Sequence, residues 1–171
     1  VSEELIDDSV KRILRVKFQL GLFDDPYKYC DESFEETELY SEENQDLALE
    51  AAKKSIVLLK NEHEILPIKN SVKSIAVIGP LADDKDSPLG NWRAQAEANS
   101  AVSVLEGIKT HAAKNVQINY AEGVKLSTGE RSFLKPLSLN NTDKSGFQKA
   151  INLAKSSDLV VLVVGEDAYQ T

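Results

Sequence analysis

The segment Ser74-Ile75-Ala76-Val77-Ile78-Gly79-Pro80 carries the clearest structural signal in the sequence. Its apolar run contains β-branched side chains and ends at a Gly-Pro pair, which predicts a buried strand closed by a turn. Two further strand-like segments follow at residues 116–120 and 159–164. Stretches with helical spacing, residues 101–113 and 146–157, separate the three strands. Strands that alternate with helices in this way predict a parallel sheet in an α/β fold.

A long polar insertion, residues 121–144, separates the second predicted strand from the helix that follows it. It contains Gly123, Gly129 and Pro136 and exceeds the usual length of a loop. We expect it to hold short structure or to lie at the rim of a functional site.

Residues 1–73 lack this alternation and begin with a helical pattern. Apolar side chains at helical spacing form one stripe on the first predicted helix, with charged side chains opposite. The stripe consists of Ile6, Val10, Ile13 and Leu14. The predicted elements are, in chain order, a helix over 2–20, an ordered linker over 22–40, a helix over 41–54, a short strand over 55–60 and an edge strand over 65–68.

The charge balance of the chain excludes some partner classes. The 171 residues carry 20 Lys and Arg against 28 Asp and Glu, for a formal charge of −8. Because phosphate surfaces attract basic patches, we expect no nucleic-acid partner and no anionic membrane partner. The longest apolar run, residues 159–164, is far shorter than the ~20 residues of a membrane span. Cys30 is the single cysteine, so it forms no internal disulfide.

The two ends of the chain indicate a piece of a longer protein. The sequence begins at Val1, contains no Met and shows no basic stretch leading into an apolar core. No signal peptide is therefore visible. The other end follows the third predicted strand closely, where an α/β domain usually continues with a helix and another strand. We expect a chain that is truncated at both ends.

Acidic side chains follow two of the predicted strands. Asp83, Asp84 and Asp86 lie after the first strand and before Trp92, and Glu166-Asp167 follows the third. Ligands bind at the carboxyl ends of parallel strands, and paired carboxylates near an aromatic ring suit glycoside hydrolysis. The same acids are also typical helix caps and turn residues, an interpretation that residue types alone favour.

Other kinds of site find little support in the sequence. Acids follow Gly79-Pro80, where they would repel a phosphate. His63 and His111 lie far apart, with no paired cysteines, so the sequence does not predict a zinc site. We expect no cofactor and no metal.

Beyond these patterns, several segments resemble glycoside hydrolase family 3, and they occur in the order and spacing of that family along nearly the whole chain. The segments are Ile6-Asp7-Asp8-Ser9-Val10-Lys11-Arg12-Ile13-Leu14, Gly21-Leu22-Phe23-Asp24-Asp25-Pro26-Tyr27, Ala51-Ala52-Lys53-Lys54-Ser55-Ile56-Val57-Leu58-Leu59-Lys60-Asn61, Ile65-Leu66-Pro67-Ile68, Ile75-Ala76-Val77-Ile78-Gly79-Pro80-Leu81-Ala82-Asp83, Gly90-Asn91-Trp92 and Val163-Val164-Gly165-Glu166. Each segment is a weak signal by itself, and together they are specific.

The resemblance implies an α/β fold consisting of an incomplete three-layer sandwich with a mostly parallel sheet. A helical segment and a linker from a missing (β/α)8-type barrel would precede it. The implied divisions are residues 1–24 for the C-terminal helix of the barrel, 25–73 for an interdomain linker with a helix and a short hairpin, and 74–171 for the first part of the sandwich domain. The apolar stripe of the first helix would pack on the missing barrel.

The same resemblance implies a parent enzyme that is a retaining exo-β-glucosidase acting on β-glucosides or oligosaccharides. An Asp of the barrel, upstream of Val1, would attack the anomeric carbon. A Glu about two residues beyond Thr171 would donate the proton. We therefore expect the 171 residues to contain no catalytic residue and to be inactive alone, with Glu166 in a structural role.

Three residues are expected to approach the substrate at the rim of the active site: Trp92, Asp167 and Tyr169. The alternatives are a β-xylosidase or another exo-glycosidase of the same family, and a non-catalytic α/β module that binds a ligand or partner. The family resemblance favours a periplasmic or secreted location.

Overall fold

A computed structural model describes residues 1–93 and 96–170 of the chain. The chain forms two compact units, Val1–Lys60 and Asn61–Thr171. The predicted site residues Trp92, Asp167 and Tyr169 all belong to the second unit.

The first unit consists of three helices, α1 (Glu3–Gln19), α2 (Glu32–Glu38) and α3 (Glu42–Ser55). Glu3 and Glu4 lie in the first turn of α1, where they complement the positive end of the helix dipole. Ser41 caps α3, because its side chain accepts a hydrogen bond from the Asn44 amide. No residue of these three helices is buried. The apolar stripe of α1 is therefore exposed.

Two of the predicted elements in residues 55–68 are wrong. The strand predicted over 55–60 does not form, because α3 continues to Ser55 and residues 56–61 have no regular structure. The edge strand predicted over 65–68 is also absent, and a short 3₁₀ helix, Glu62–Glu64, precedes it. An apolar run becomes a strand only where another strand pairs with its backbone. In the described part of the chain, the paired strands are Ser74–Ile78, Gln117–Ala121 and Leu159–Leu162.

Helix α2 lies within residues 22–40, which the sequence predicted as a linker without a period. Asp31 starts this helix by accepting hydrogen bonds from the amide and hydroxyl of Ser33. The helix is only 7 residues long and buries none of them, so the sequence contains no apolar stripe that would predict it.

The second unit is an α/β unit with three parallel strands. In chain order its elements are β1 (Ser74–Ile78), the 3₁₀ helix Ser87–Leu89, α4 (Val104–His111), β2 (Gln117–Ala121), α5 (Phe147–Lys155) and β3 (Leu159–Leu162). The strand order is β2-β1-β3, so β1 is central. Ile75 of β1 lies opposite Ile118 of β2 and Leu159 of β3. The parallel α/β fold predicted from the sequence is confirmed.

The two helices cover opposite faces of the sheet, which makes three layers. Ile75 and Val77 pack on the same side as Leu105 of α4. The alternating residues of β1, Ala76 and Ile78, pack with Ala150 of α5. Successive side chains of a strand point to opposite faces, so β1 supplies both halves of the core.

Gly79 ends β1 in a position that only glycine can occupy. Its φ is +136°, and a Cβ at this residue would lie 2.0 Å from the carbonyl oxygen of Val163. The Val163 amide donates a hydrogen bond of 2.7 Å to the Ile78 carbonyl. The backbones that leave β1 and β3 therefore run against each other at the carboxyl edge of the sheet.

Asp158 joins the other ends of the same two strands. Its Oδ2 accepts hydrogen bonds of 2.9 Å from the amides of Lys73 and Ser74, and the Asp158 amide donates to Ser74 Oγ. The hydrogen bonds from Lys73 and Ser74 lower the pKa of Asp158. Across the described ranges, no helix is both long and apolar enough to cross a bilayer.

Candidate functional site

Three chain segments meet at the carboxyl edge of the sheet. They are the loop after β1, the insertion between β2 and α5, and the segment that follows β3. Parallel strands place all their carboxyl ends at one edge, where α/β proteins bind their ligands. Polar side chains from all three segments lie together at this edge and form the candidate site.

The acids of the loop after β1 each bind neighbouring residues. Asp83 Oδ1 accepts a hydrogen bond of 3.0 Å from Ser103 Oγ, and Ser103 in turn caps α4. Asp84 Oδ1 accepts from the amides of Asp86 and Ser87, at 2.8 and 2.9 Å. Burial opposes the charge of Asp84, but the Ser87 and Asp86 hydrogen bonds and the Arg131 charge outweigh it and lower its pKa.

Asp86, Arg93 and Tyr169 form a second group of contacts. Arg93 Nη1 lies 2.6 Å from Asp86 Oδ1. Tyr169 donates its hydroxyl proton to Asp86 Oδ2 and accepts a hydrogen bond from Arg93 Nη2, both at 2.9 Å. Burial alone would raise the pKa of Asp86, but the hydrogen bonds from Arg93 and Tyr169 and the charges of Arg93 and Arg131 lower it. Burial and the hydrogen bond to Asp86 raise the pKa of Tyr169.

Arg131 links the loop after β1 to the segment after β3. Its Nη2 lies 2.9 Å from Asp84 Oδ2 and 2.6 Å from Ser87 Oγ. Its Nε lies 3.1 Å from Asp167 Oδ2, in an ion pair that lacks the alignment of a hydrogen bond. The two-arginine cluster, as we call it here, comprises the following six residues: Arg93, Arg131, Asp84, Asp86, Asp167 and Tyr169.

The insertion supplies aromatic contacts as well as Arg131. Phe133 stacks on Tyr169 with ring centroids 4.3 Å apart, and Arg93 Cζ lies 5.2 Å from the Phe133 centroid. An antiparallel bridge between Ser127 and Leu139 closes the base of this part of the insertion. The insertion therefore holds a short bridged element, as one of the two expectations had it, and its place at the rim of a functional site stays a prediction.

The three predicted substrate-binding residues differ in exposure. Trp92 is 94% exposed and presents both faces of its indole to solvent. Asp167 is 3% exposed and is held by Arg131 and by the Tyr169 amide, which donates to its Oδ1. Tyr169 is half-buried in the two-arginine cluster. Contact of these three residues with a substrate stays a prediction.

The chemistry available to the acids at this edge is limited. The lowered pKa values of Asp84 and Asp86 keep both carboxylates ionised at neutral pH. A general acid in glycoside hydrolysis needs a raised pKa. Of the acids after β1, Asp84 accepts from backbone amides as a turn residue does. Asp83 binds Ser103, the cap of α4, and Asp86 pairs with Arg93 and Tyr169.

Several cavities lie among the described residues of the second unit, and two of them bear on the site. A polar cavity of about 200 Å³ borders the cluster and is lined by Asp84, Glu122 and Arg131, among others. A larger one of about 710 Å³ lies where the strands begin, and Ile75, Ile108 and Val116 contribute to its lining. The larger cavity is therefore remote from the acids at the carboxyl edge.

Arg93, Arg131 and Phe133 were not singled out by the sequence analysis. Arg93 stands next to the predicted Trp92, and the other two lie in the insertion whose excess length was noted. That length was the available signal. Their pairing with Asp86 and Asp167 depends on the tertiary approach of distant segments, which no local pattern encodes.

Comparisons with known proteins agree with one another. The sequence model for the glycosyl hydrolase family 3 C-terminal domain matches residues 56–171. The periplasmic β-glucosidase of Salmonella typhimurium is 36% identical over 94% of this chain, which covers 22% of that protein. A β-xylosidase of Formosa agariphila is 39% identical over 94% of the chain, which covers 21% of that protein.

A solved structure is also similar over nearly the whole chain. It is a β-glucosidase from intestinal bacteria that is involved in saponin metabolism. The TM-score is 0.80 at 32% identity, and the match covers 99% of this chain and 25% of that one. The chain spans about a fifth of the length of the curated relatives it matches.

Proposed function

Because the chain belongs to glycosyl hydrolase family 3, we propose that it is a segment of a retaining exo-β-glucosidase. The parent enzyme would remove terminal non-reducing β-D-glucosyl residues from β-glucosides or oligosaccharides. The relatives named as a β-glucosidase and a β-xylosidase support a glycosidase activity for the parent.

The observation that carries the proposal is that the acids at the carboxyl edge of the sheet are already bound to other residues of this chain. Asp83, Asp84, Asp86 and Asp167 all bind residues of this chain through hydrogen bonds or ion pairs. A retaining glycosidase needs one carboxylate nucleophile and one carboxylic acid close to it. The family resemblance implies that both catalytic groups lie outside these 171 residues, and the existing partners of these four acids support that proposal.

The proposed reaction has two steps. An Asp carboxylate of the barrel attacks the anomeric carbon, while the bond to the glycosidic oxygen breaks and its electron pair stays on that oxygen. A Glu that follows the segment after β3 gives its proton to the leaving oxygen. The resulting Glu carboxylate then takes a proton from water, whose oxygen displaces the Asp and restores it.

Within this chain, we propose that Trp92, Asp167 and Tyr169 lie at the substrate-binding rim. The exposed indole of Trp92 suits stacking on the apolar face of a pyranose ring. Tyr169 and Asp167 belong to the two-arginine cluster and would shape the rim beside it.

Variants of the complete protein test the rim. We expect Trp92→Ala and Tyr169→Ala to weaken glucoside binding, and Trp92→Phe to retain most of the affinity because it keeps an aromatic face. Isothermal titration with a glucoside gives the dissociation constants. Unchanged affinity in both alanine variants contradicts the proposal.

The proposed specificity for glucosides has one alternative, a specificity for xylosides. The β-xylosidase of Formosa agariphila is 39% identical to this chain, so a parent that releases xylose is the second candidate. Parallel assays of the complete protein on 4-nitrophenyl β-D-glucoside and β-D-xyloside decide between them. The proton NMR signal of the first-formed sugar anomer tests retention. Absence of hydrolysis of both substrates would instead favour a non-catalytic α/β module.

Two further properties of the parent follow from the same proposal. The exposed apolar stripe of α1 would pack on the barrel domain, because such a stripe is stabilised by burial. A periplasmic or secreted location is supported by the relative from Salmonella typhimurium, which is named periplasmic. Fractionation of cells that express the complete gene measures the location.

A further inference from the structure

Arg131 brings three chain segments together through one guanidinium group. Its Nη2 binds Asp84 and Ser87 of the loop after β1. Its Nε faces Asp167 after β3, and its Cζ lies 4.8 Å from the ring centroid of Tyr169. The planar guanidinium group can bind two carboxylates through N–H donors that are held in a rigid plane. A lysine ammonium is a point charge on a flexible chain and does not fix the two carboxylates in this way.

Asp167 depends on this arginine. The Asp167 side chain has 0% of its area exposed, and its Oδ1 accepts a hydrogen bond from the Tyr169 amide. Its Oδ2 has no hydrogen-bond partner within residues 1–93 and 96–170 and lies 3.1 Å from Arg131 Nε. A buried carboxylate is stable only when a charge or several donors compensate it. The Arg131 guanidinium supplies that compensation.

Residues 167–170, the last described part of the segment that follows β3, are thereby held. Asp167 is bound by Arg131, and the Asp167 amide donates 2.7 Å to the side-chain oxygen of Gln170. The Tyr169 hydroxyl is fixed between Asp86 and Arg93. The stretch up to Gln170 is therefore held by contacts with the two-arginine cluster.

We propose that Arg131 is a positioning residue, which pairs Asp84 with Asp167 and so aims the proton donor of the reaction at the glycosidic oxygen. This inference rests on the proposed function, which puts the donor directly after the segment that Asp167 begins. Arg131 itself touches neither the substrate nor the reacting atoms in this role. It acts through the backbone of residues 167–170.

Substrates with different leaving groups distinguish the positioning role of Arg131 from a role in folding alone. Departure of 2,4-dinitrophenolate needs little protonation, because that anion is stable, whereas departure of methoxide needs the full transfer of a proton. A misplaced donor slows the methyl glycoside selectively. A loss of folded protein lowers both rates by the same factor.

The experiment uses the complete protein with Arg131→Met, Arg131→Lys and, as a matched control, Lys135→Met. Lys135 is an exposed cation of the same insertion. The measurement is kcat/KM on 2,4-dinitrophenyl β-D-glucoside and on methyl β-D-glucoside, or on the xylosides if the unmodified protein releases xylose faster. For Arg131→Met we expect the loss on the methyl glycoside to exceed that on the aryl glycoside by at least about tenfold.

The other variants sharpen the interpretation. Arg131→Lys keeps the charge without the fork and is expected to give an intermediate ratio, while Lys135→Met gives the unmodified values on both substrates. If Arg131→Met does not fold, Arg131→Met/Asp167→Asn removes the uncompensated charge as well, and the same ratio is measured on it. Equal losses on the two glycosides in the folded variants overturn the positioning role.

The same assays show separately whether the proposed glycosidase activity is wrong. If the unmodified complete protein hydrolyses neither glycoside, the proposed glycosidase activity is wrong and the positioning role falls with it. If the unmodified protein hydrolyses both and the ratio does not change on substitution, the activity stands and the role of Arg131 alone is rejected.

Discussion

The hydroxyl group of Tyr169 forms hydrogen bonds with two residues of opposite charge. It donates to the Asp86 carboxylate and accepts from the Arg93 guanidinium, so it completes the hydrogen bonding of an ion pair that is mostly shielded from water. Hydrogen bonds to charged groups are stronger than those between neutral groups. The arrangement keeps Asp86 ionised and keeps the tyrosine protonated, as the lowered and raised pKa values of the two groups indicate.

The pH dependence of stability tests this arrangement. Because the pKa of Asp86 is lower in the folded chain than in the unfolded one, its contribution is present at neutral pH and is lost as the pH falls through the folded pKa. We expect Asp86→Asn to be less stable than the unmodified chain at pH 7 and to lose less further stability between roughly pH 5 and pH 2. Urea unfolding of the 171-residue chain at several pH values measures this. Parallel pH curves for the two proteins contradict the assignment.

At the scale of the elements, the strands and helices of the second unit could be predicted because their apolar patterns are local. β1 was predicted within its bounds, and β3 ends two residues earlier than predicted, at Leu162. The strand predicted over 55–60 failed because an apolar run does not reveal whether a pairing partner exists. The contacts of Arg131 with Asp84 and Asp167 could not be predicted either, since they join segments that only the fold brings together.

The junction between β1 and β3 gives a prediction at the same scale. Gly79→Ala places a Cβ 2.0 Å from the Val163 carbonyl oxygen at a φ of +136°, so one of the two strand ends must move. We expect a loss of about 3 kcal/mol or more in the unfolding free energy, measured by urea denaturation.

Gly107→Ala is the matched control for that substitution. Gly107 lies inside α4, and apart from its chain neighbours and the backbone of its own helix, no described atom lies within 4 Å of the position its Cβ would take. Alanine favours a helix over glycine by up to about 1 kcal/mol, so this variant is expected to be more stable. A loss of similar size in both variants would mean that the close approach to Val163 is not the cause.

At the scale of the whole molecule, the acids of the candidate site bind other residues of this chain, and we propose that the catalytic carboxylates lie elsewhere in the complete protein. Removing either member of such a pair abolishes most of the rate enhancement. The family could be recognised from ordered sequence segments, since each reflects a local requirement such as the strand ending at Gly79. The choice between glucose and xylose could not be settled from the sequence, because relatives named for both sugars are similar to this chain.

We therefore expect the 171-residue chain alone to show no turnover of 4-nitrophenyl β-D-glucoside. The complete protein is the positive control, assayed at the same molar concentration by release of 4-nitrophenolate. Turnover by the short chain that survives repurification would show that a catalytic pair lies within these residues.

The exposure of Trp92 has a spectroscopic consequence. It is the single tryptophan of the 171 residues and is 94% exposed, so its indole already has the surroundings of an indole in an unfolded chain. Denaturant should therefore leave its emission wavelength nearly unchanged, making its fluorescence insensitive to unfolding. The same indole would shift to shorter wavelength when a sugar ring or another domain covers it. Trp92 is thus a built-in, label-free reporter of docking at this edge of the sheet.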